Sequence, residues 1–196
     1  MQHVDAFRAQ LHGPSDRDRM HQPTVVEMLV ADVRRRIIER WSFVKDQIEN
    51  EPKPMDFSKP VLVKGWRQQI EMGSPHVDQA QVDGKPTLHI VANGQSTASW
   101  RSNVMLDPGK YRFEVMARTS KLTPMRGMKG QGAGIRISGS SQPRKNAISG
   151  DADWTKLQYD FEVEGAPSEV ILVCESRAKS GEVWFDAGSL KLEKLR

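Results

Sequence analysis

Glu114 and Glu175 are the acids in this sequence that first invite a chemical reading, because each falls at an outward position of an alternating apolar–polar run. Two carboxylates facing each other across a cleft would supply the acid and the base of a glycoside hydrolase. Alternation places acids at many such positions, so this pair by itself reads as solvated surface. The five histidines, His3, His12, His21, His76 and His89, show no metal-ligand spacing. Nothing resembles a nucleophile elbow with its histidine partner. Gly130, Gly132 and Gly134 in MRGMKGQGAGIRISG imitate a phosphate loop, but no Gly-Lys-Ser/Thr follows and no helix opens after them. With no catalytic constellation, the chain reads as a non-enzyme.

Binding asks only for side chains that share a face. In Lys110–Thr119, period two puts Tyr111, Phe113, Val115 and Ala117 inside and leaves Arg112, Glu114 and Arg118 outside. Around Leu88 and Ile90 it leaves His89 outside, and around Val104 and Leu106 it leaves Arg101 and Asn103. Trp100 falls nominally inside. Val170, Leu172 and Cys174 make one face of the run SEVILVCES, with Glu175 and Arg177 on the other. Thus His89, Arg101, Asn103, Glu114, Arg136 and Glu175 are candidates for one binding face, with Trp184 beside Glu182 and Asp186 as an aromatic contact. The same set can equally be an ordinary solvated sheet.

These residues need strands to position them, and the chain from Val61 onward supplies them. Expected strands are Val61–Lys64, Trp66–Met72, His76–Val82, Thr87–Ala92, Ser99–Leu106, Lys110–Thr119, Gly134–Ser138, Thr155–Val163, Ser168–Ser176 and Val183–Leu195. Turn chemistry separates them at Gly73-Ser74-Pro75, Asp83-Gly84, Asn93-Gly94, Asp107-Pro108-Gly109 and Gly165-Ala166-Pro167. No helical pattern intervenes, so the fold class is mainly β: an antiparallel β-sandwich with an N-terminal α-helical extension. That extension spans residues 1–52. Thr24 with Glu27 makes a capping box, and Val26, Leu29, Val30, Val33, Ile37, Ile38, Trp41, Val44 and Ile48 form one apolar stripe. The helix should end near Asn50, ahead of Pro52 and Pro54. Residues 53–60 read as a Pro-rich linker and 61–196 as the sandwich.

At 196 residues with net charge +4 the chain is mildly basic, and its mean hydropathy of -0.59 fits a largely polar surface. No run nears the roughly 20 apolar residues of a membrane span, and MQHVDAFRAQLHG lacks a secretory h-region. Arginines crowd Arg34 to Arg40 and Arg118 to Lys145. No aromatic residue lies within the second cluster, which argues against a nucleic-acid partner. Cys174, the single cysteine, sits in an apolar run and reads as an inert core thiol.

The blocks DGKPTLHIVA, NVMLDPGKYRFEVMART, DWTKLQYDFEVEGAPSEVILVCESRAKSG and EVWFDAGSLKLEKL resemble, in order, the carbohydrate-binding modules with a galactose-binding-like jelly-roll fold. The positions that carry the resemblance are Gly84, Thr87, Leu88, Val104, Leu106, Pro108, Gly109, Tyr111, Phe113, Trp154, Phe161, Phe185, Asp186 and Leu190. It implies a jelly roll over residues 61–196, a polysaccharide or glycan partner, no catalysis, and an extracellular or cell-surface setting. It also implies a structural calcium, for which only Asp186 is present. Calcium takes roughly six to eight oxygens, so Asp186 reads first as a turn residue and calcium as the alternative; no other cofactor is implied. VRRRIIERWSFVKDQIENEP is similar to the helix that closes the kinase-like domain of the spore-coat CotH family, through Arg40, Val44, Gln47 and Ile48. None of that family's catalytic residues is present. The expected function is therefore a module that holds an attached or associated protein near polysaccharide. The alternative is a structural module that uses its sandwich and helix to pack with an upstream domain or another chain.

Overall fold

A computed structural model describes residues 23–49, 55–125, 127, 131–140 and 144–195. The N-terminal arm, the Thr24 cap and Gly130 lie outside the described residues or side chains. The chain forms two compact units, residues 1–52 and 53–196. In the first, α1 (Pro23–Glu49) runs 27 residues. Proline suits a helix start because its missing N–H has no intrahelical partner there. Met28, Leu29, Val33, Ile37, Ile38 and Trp41 are each about half exposed or more.

The second unit is one antiparallel sheet of nine strands. They are β1 (Val61–Leu62), β2 (Arg67–Met72), β3 (His76–Val82), β4 (Lys85–Leu106), β5 (Gly109–Pro124), β6 (Gly132–Ile137), β7 (Gly150–Val163), β8 (Ser168–Asp186) and β9 (Lys191–Lys194). The sheet curls on itself into a jelly-roll β-sandwich. Its spine is a ribbon in which β4 and β8 pair from Thr87↔Asp186 to Leu106↔Ser168. Around the first half of β4 the order is β3–β4–β8–β5. Around the second half it is β2–β4–β8–β6. The near end of β5 pairs with β7 and β9, and β1 edges β9.

Two expected breaks are not breaks. Asn93-Gly94 has the composition of a turn, yet β4 continues through it with a register shift between Asn93 and Ser96. Ser168–Ser176 and Val183–Asp186 likewise belong to the single strand β8, whereas the run expected to continue to Leu195 breaks after Asp186, whose side chain and carbonyl accept from Gly188 and Ser189 in a turn, and resumes as β9. A residue pair that can close a hairpin can also supply the extra residue of a β-bulge, since both need left-handed backbone, and Gly94 has φ 71°. Ahead of β1, Met55 and Phe57 pack on the core. Phe57 meets the Tyr111 ring edge-on at 5.2 Å.

The alternation reading holds in the core. Tyr111, Phe113, Val115, Ala117, Leu88, Ile90, Val104, Leu106, Leu172, Cys174 and Phe185 are all buried. Trp100 is also inside, its Nε1 donating to the His89 carbonyl. Burial raises the Cys174 thiol pKa well above its ordinary value, with the Glu175 carboxylate adding to the effect, so the thiolate that would react is disfavoured. Ile135 fixes the core side of β6 and is fully buried. Ile135→Val removes one methyl and should cost about 0.5–1.5 kcal/mol, read as a lower urea midpoint with unchanged slope.

Candidate functional site

The outer face of β2–β4–β8–β6 carries a fixed polar network. Cross-strand pairing sets Glu175 opposite Ser99 and Gly134, Val173 opposite Arg101 and Arg136, and Arg177 opposite Thr97 and Gly132. Glu175 is only 1% exposed although it points away from the core. Its Oε1 accepts from Arg144 Nη1 at 3.0 Å, and its Oε2 accepts from Arg136 Nε at 2.9 Å and Arg177 Nη2 at 3.2 Å. One carboxylate thus anchors three guanidiniums. Arg144 arrives from the 144–149 segment that crosses Gly134, where an added Cβ would lie 3.0 Å from its Cδ and Nε. It also donates to the Gln131 and Gly132 carbonyls. Beside this group, Glu71 accepts from Ser99 Oγ at 2.8 Å and from Arg101, whose Nε donates to Ser99 Oγ at 3.0 Å.

Burial pushes the Arg144 pKa down to about 10; Arg177 and Arg136 push the same way, and Glu175 opposes them. The direction reports chiefly the lost solvation of a buried cation, and the guanidinium still stays charged at ordinary pH. Arg136 and Arg177 keep about a fifth of their side chains exposed. These are positioned donors at a surface, the arrangement that binds carboxylates or hydroxyls with little ordering cost.

His89 and Trp184 meet elsewhere, on the outer face of β3–β4–β8–β5. Asp78, His89, Trp184 and Arg118 stand in one line across the strands. The imidazole stacks on the indole at 5.1 Å with parallel planes, and Arg118 lies 6.0 Å from the ring centre. Because β8 runs between β4 and β5, these neighbours flank Trp184 on opposite sides. The Trp184 ring, expected as an aromatic contact for a ligand, is thus packed between His89 and Arg118. His89 Nδ1 and Nε2 lie 2.8 and 3.1 Å from Asp78 and Glu182 carboxylate oxygens. Trp154 joins a polar edge: its Nε1 donates to Asp83 at 3.2 Å and Lys85 sits 4.9 Å over the ring.

Glu114 belongs to a third place, on β5 opposite Gln158 and Lys191. Gln158 donates to it and Lys156 Nζ lies 2.8 Å away. It is not beside Arg101 or Arg136, so the single face expected from sequence divides. Nearby, Arg112 clamps Asp160 with two bonds of 2.8 Å and holds its carboxyl below the usual range. Asn103 stands exposed on β4 two residues past Arg101, beyond the end of β2. Asp186 Oδ1 accepts from the Gly188 N–H at 2.9 Å, and the Ser189 N–H and Oγ donate to its carbonyl. Lys85 Nζ is 3.9 Å from Oδ2. The Asp186 carboxylate therefore caps its own turn and faces an ammonium.

The chain is similar to carbohydrate-binding modules. A structure titled "CBM4 structure and function" shares 14% identity over 71% of this chain and 96% of its own, with TM-score 0.48. TmCBM61, solved with β-1,4-galactotriose, shares 14% over 66% and 88%, with TM-score 0.44. The CBM22-1 xylan-binding domain of Xyn10C from Paenibacillus barcinonensis shares 16% over 74% and 97%, with TM-score 0.43. No family model matches the sequence, and no curated protein does. At these identities no sugar passes from those proteins to this one.

Sequence reasoning missed Arg144, Glu71 and Ser99, which complete the guanidinium group. Gly134 was the available signal, since glycine inside a strand often marks a close approach by another segment. It also missed a cleft of about 440 Å³ lined by Lys64, Trp66, Gln79, Gln81 and Thr87 among others. Trp66 stacks there on Phe113 at 6.1 Å and donates to the Val63 carbonyl.

Proposed function

We propose that the chain is a non-catalytic glycan-binding module that holds the protein it belongs to, or accompanies, near polysaccharide. The observation that carries this reading is the anchoring of Arg136, Arg144 and Arg177 by the buried Glu175. Donors held in place before binding lose little freedom when a ligand arrives, so their hydrogen bonds convert more fully into affinity. Affinity electrophoresis against a panel of soluble polysaccharides tests it. The intact chain should be retarded by at least one, and Arg136→Ala should weaken retention roughly tenfold, as expected for loss of a charged donor. Glu114→Ala, which alters the separate β5 face, should leave retention unchanged. Retention lost in Gln79→Ala but kept in Arg136→Ala would move the site to the Trp66 cleft. Failure to bind any polysaccharide would remove the reading.

The exposed stripe of α1 supports a second reading, in which residues 23–49 recruit a protein partner. Among the described side chains, Leu29 is 60% and Trp41 69% exposed, and isolated helices gain most of their stability from packing. Glycan binding by the sandwich and partner binding by the helix do not exclude each other.

A further inference from the structure

The register of β2 adds a further guanidinium to the face already described. Arg67 pairs directly with Arg101, and Arg101 and Arg136 both pair with Val173. Directly opposed residues project to the same side of a sheet, so Arg67, Arg101 and Arg136 lie on one line perpendicular to the strands. Strands are spaced about 4.8 Å apart, which sets the first pair of backbones about 5 Å apart and Arg136 about 10 Å beyond Arg101. Arg67 is exposed and enters no ion pair among the described residues.

The charge on this block is uneven. Within 67–71, 97–101, 132–136 and 173–177, together with Arg144 above them, stand the arginines 67, 101, 136, 144 and 177 against Glu71 and Glu175. Five cations face two anions, most of the whole chain's net charge of +4. Glu71 is spent on Arg101, and the single charge of Glu175 is shared among three guanidiniums. An unbalanced cluster of this kind binds anions, and guanidiniums take carboxylate and sulfate oxygens in paired hydrogen bonds. The block contains no aromatic side chain on its outer side, so it offers no platform for stacked bases. A flat acidic sugar chain needs none.

We propose that this face binds an acidic polysaccharide, one whose sugars carry carboxylate or sulfate groups, with Arg67, Arg101 and Arg136 as its contacts, Glu175 positioning Arg136 and Glu71 positioning Arg101. The proposal rests on the glycan-binding reading and narrows it to a ligand class.

The test uses the full chain and four probes: polygalacturonate, dextran sulfate, neutral xylan and duplex DNA, each titrated by calorimetry. The acidic polysaccharides should bind at least about tenfold more tightly than xylan. The double variant Arg67→Gln/Arg136→Gln should erase most of that preference, while circular dichroism confirms the unchanged sheet. Arg67→Gln alone alters an exposed side chain and keeps the test valid should the double variant unfold. Raising ionic strength from about 0.01 to about 0.15 M shortens the Debye length from about 30 to about 8 Å, and should weaken the acidic ligands but not xylan. The polygalacturonate and dextran sulfate arms separate carboxylate from sulfate. Equal binding of xylan, unaffected by the variants, would overturn the acidic class and leave the glycan reading standing. Binding of no polysaccharide would overturn both. Tighter binding of DNA than of either acidic polymer would replace the proposal with a nucleic-acid face.

Discussion

Replacing Glu175 with alanine should destabilise the sandwich by about 3–5 kcal/mol, the cost of leaving a buried charge without its partner. Glu175 is 1% exposed, and the Arg144 side chain beside it is 2% exposed. Without the carboxylate, Arg144 would remain desolvated with the cations Arg136 and Arg177 as neighbours, the two residues that already oppose its charge. Arg144→Met should cost clearly less, because Glu175 would keep Arg136 and Arg177 as donors. The asymmetry is the diagnostic: a buried cation loses the Glu175 carboxylate in one variant, whereas a buried anion keeps two guanidiniums in the other. Urea unfolding of both variants at neutral pH measures it. A loss below about 1 kcal/mol for Glu175→Ala would mean that water reaches the cluster and that the guanidiniums are not held in place. In that case the donors would not be preorganised, and the glycan-binding reading would lose its main support.

The inward half of the molecule was legible because it is written in local pattern. Period two along Lys110–Thr119 picks out Tyr111, Phe113, Val115 and Ala117 without reference to any other strand, and all are buried. The outward half is decided by register, which local pattern does not contain. Arg101 and Arg136 fall on one line only because both pair with Val173, some seventy and forty residues away respectively. Glu114 satisfies the same outward rule and lands on another face, since β5 leaves β8 for β7 and β9. Trp184 was legible as outward but not as enclosed, because His89 and Arg118 come from strands on either side of it. Glu175 shows the limit most clearly. Alternation places it outside, yet Arg144, from the segment between β6 and β7, crosses Gly134 and covers it.

The bend that separates these two outer faces predicts a second large effect, at Gly181. There β8 passes β5 where the pairing slips between Ser120 and Thr123, and Lys121 itself adopts φ 49°. Gly181 has φ +87°, and a Cβ added to it would fall 2.6 Å from Leu122 Cα and closer still to the Lys121 carbonyl. Those are backbone atoms, held by the Lys121 N–H bond to Asp151 at 2.8 Å, so no flexible side chain can yield. Left-handed backbone costs an L-residue about 1–2 kcal/mol, and overpacking adds about 1–3 kcal/mol. Gly181→Ala should therefore destabilise the protein by about 3 kcal/mol or more. Gly165→Ala supplies the comparison, since Gly165 has φ +74° but nothing within 4 Å of the new methyl; it should cost only the conformational part. The difference between the two variants isolates the close approach of β5 to β8. Equal unfolding midpoints would show that the strands can part there at no cost, and the fixed separation of the Glu175 face from the Trp184 face would fall with it.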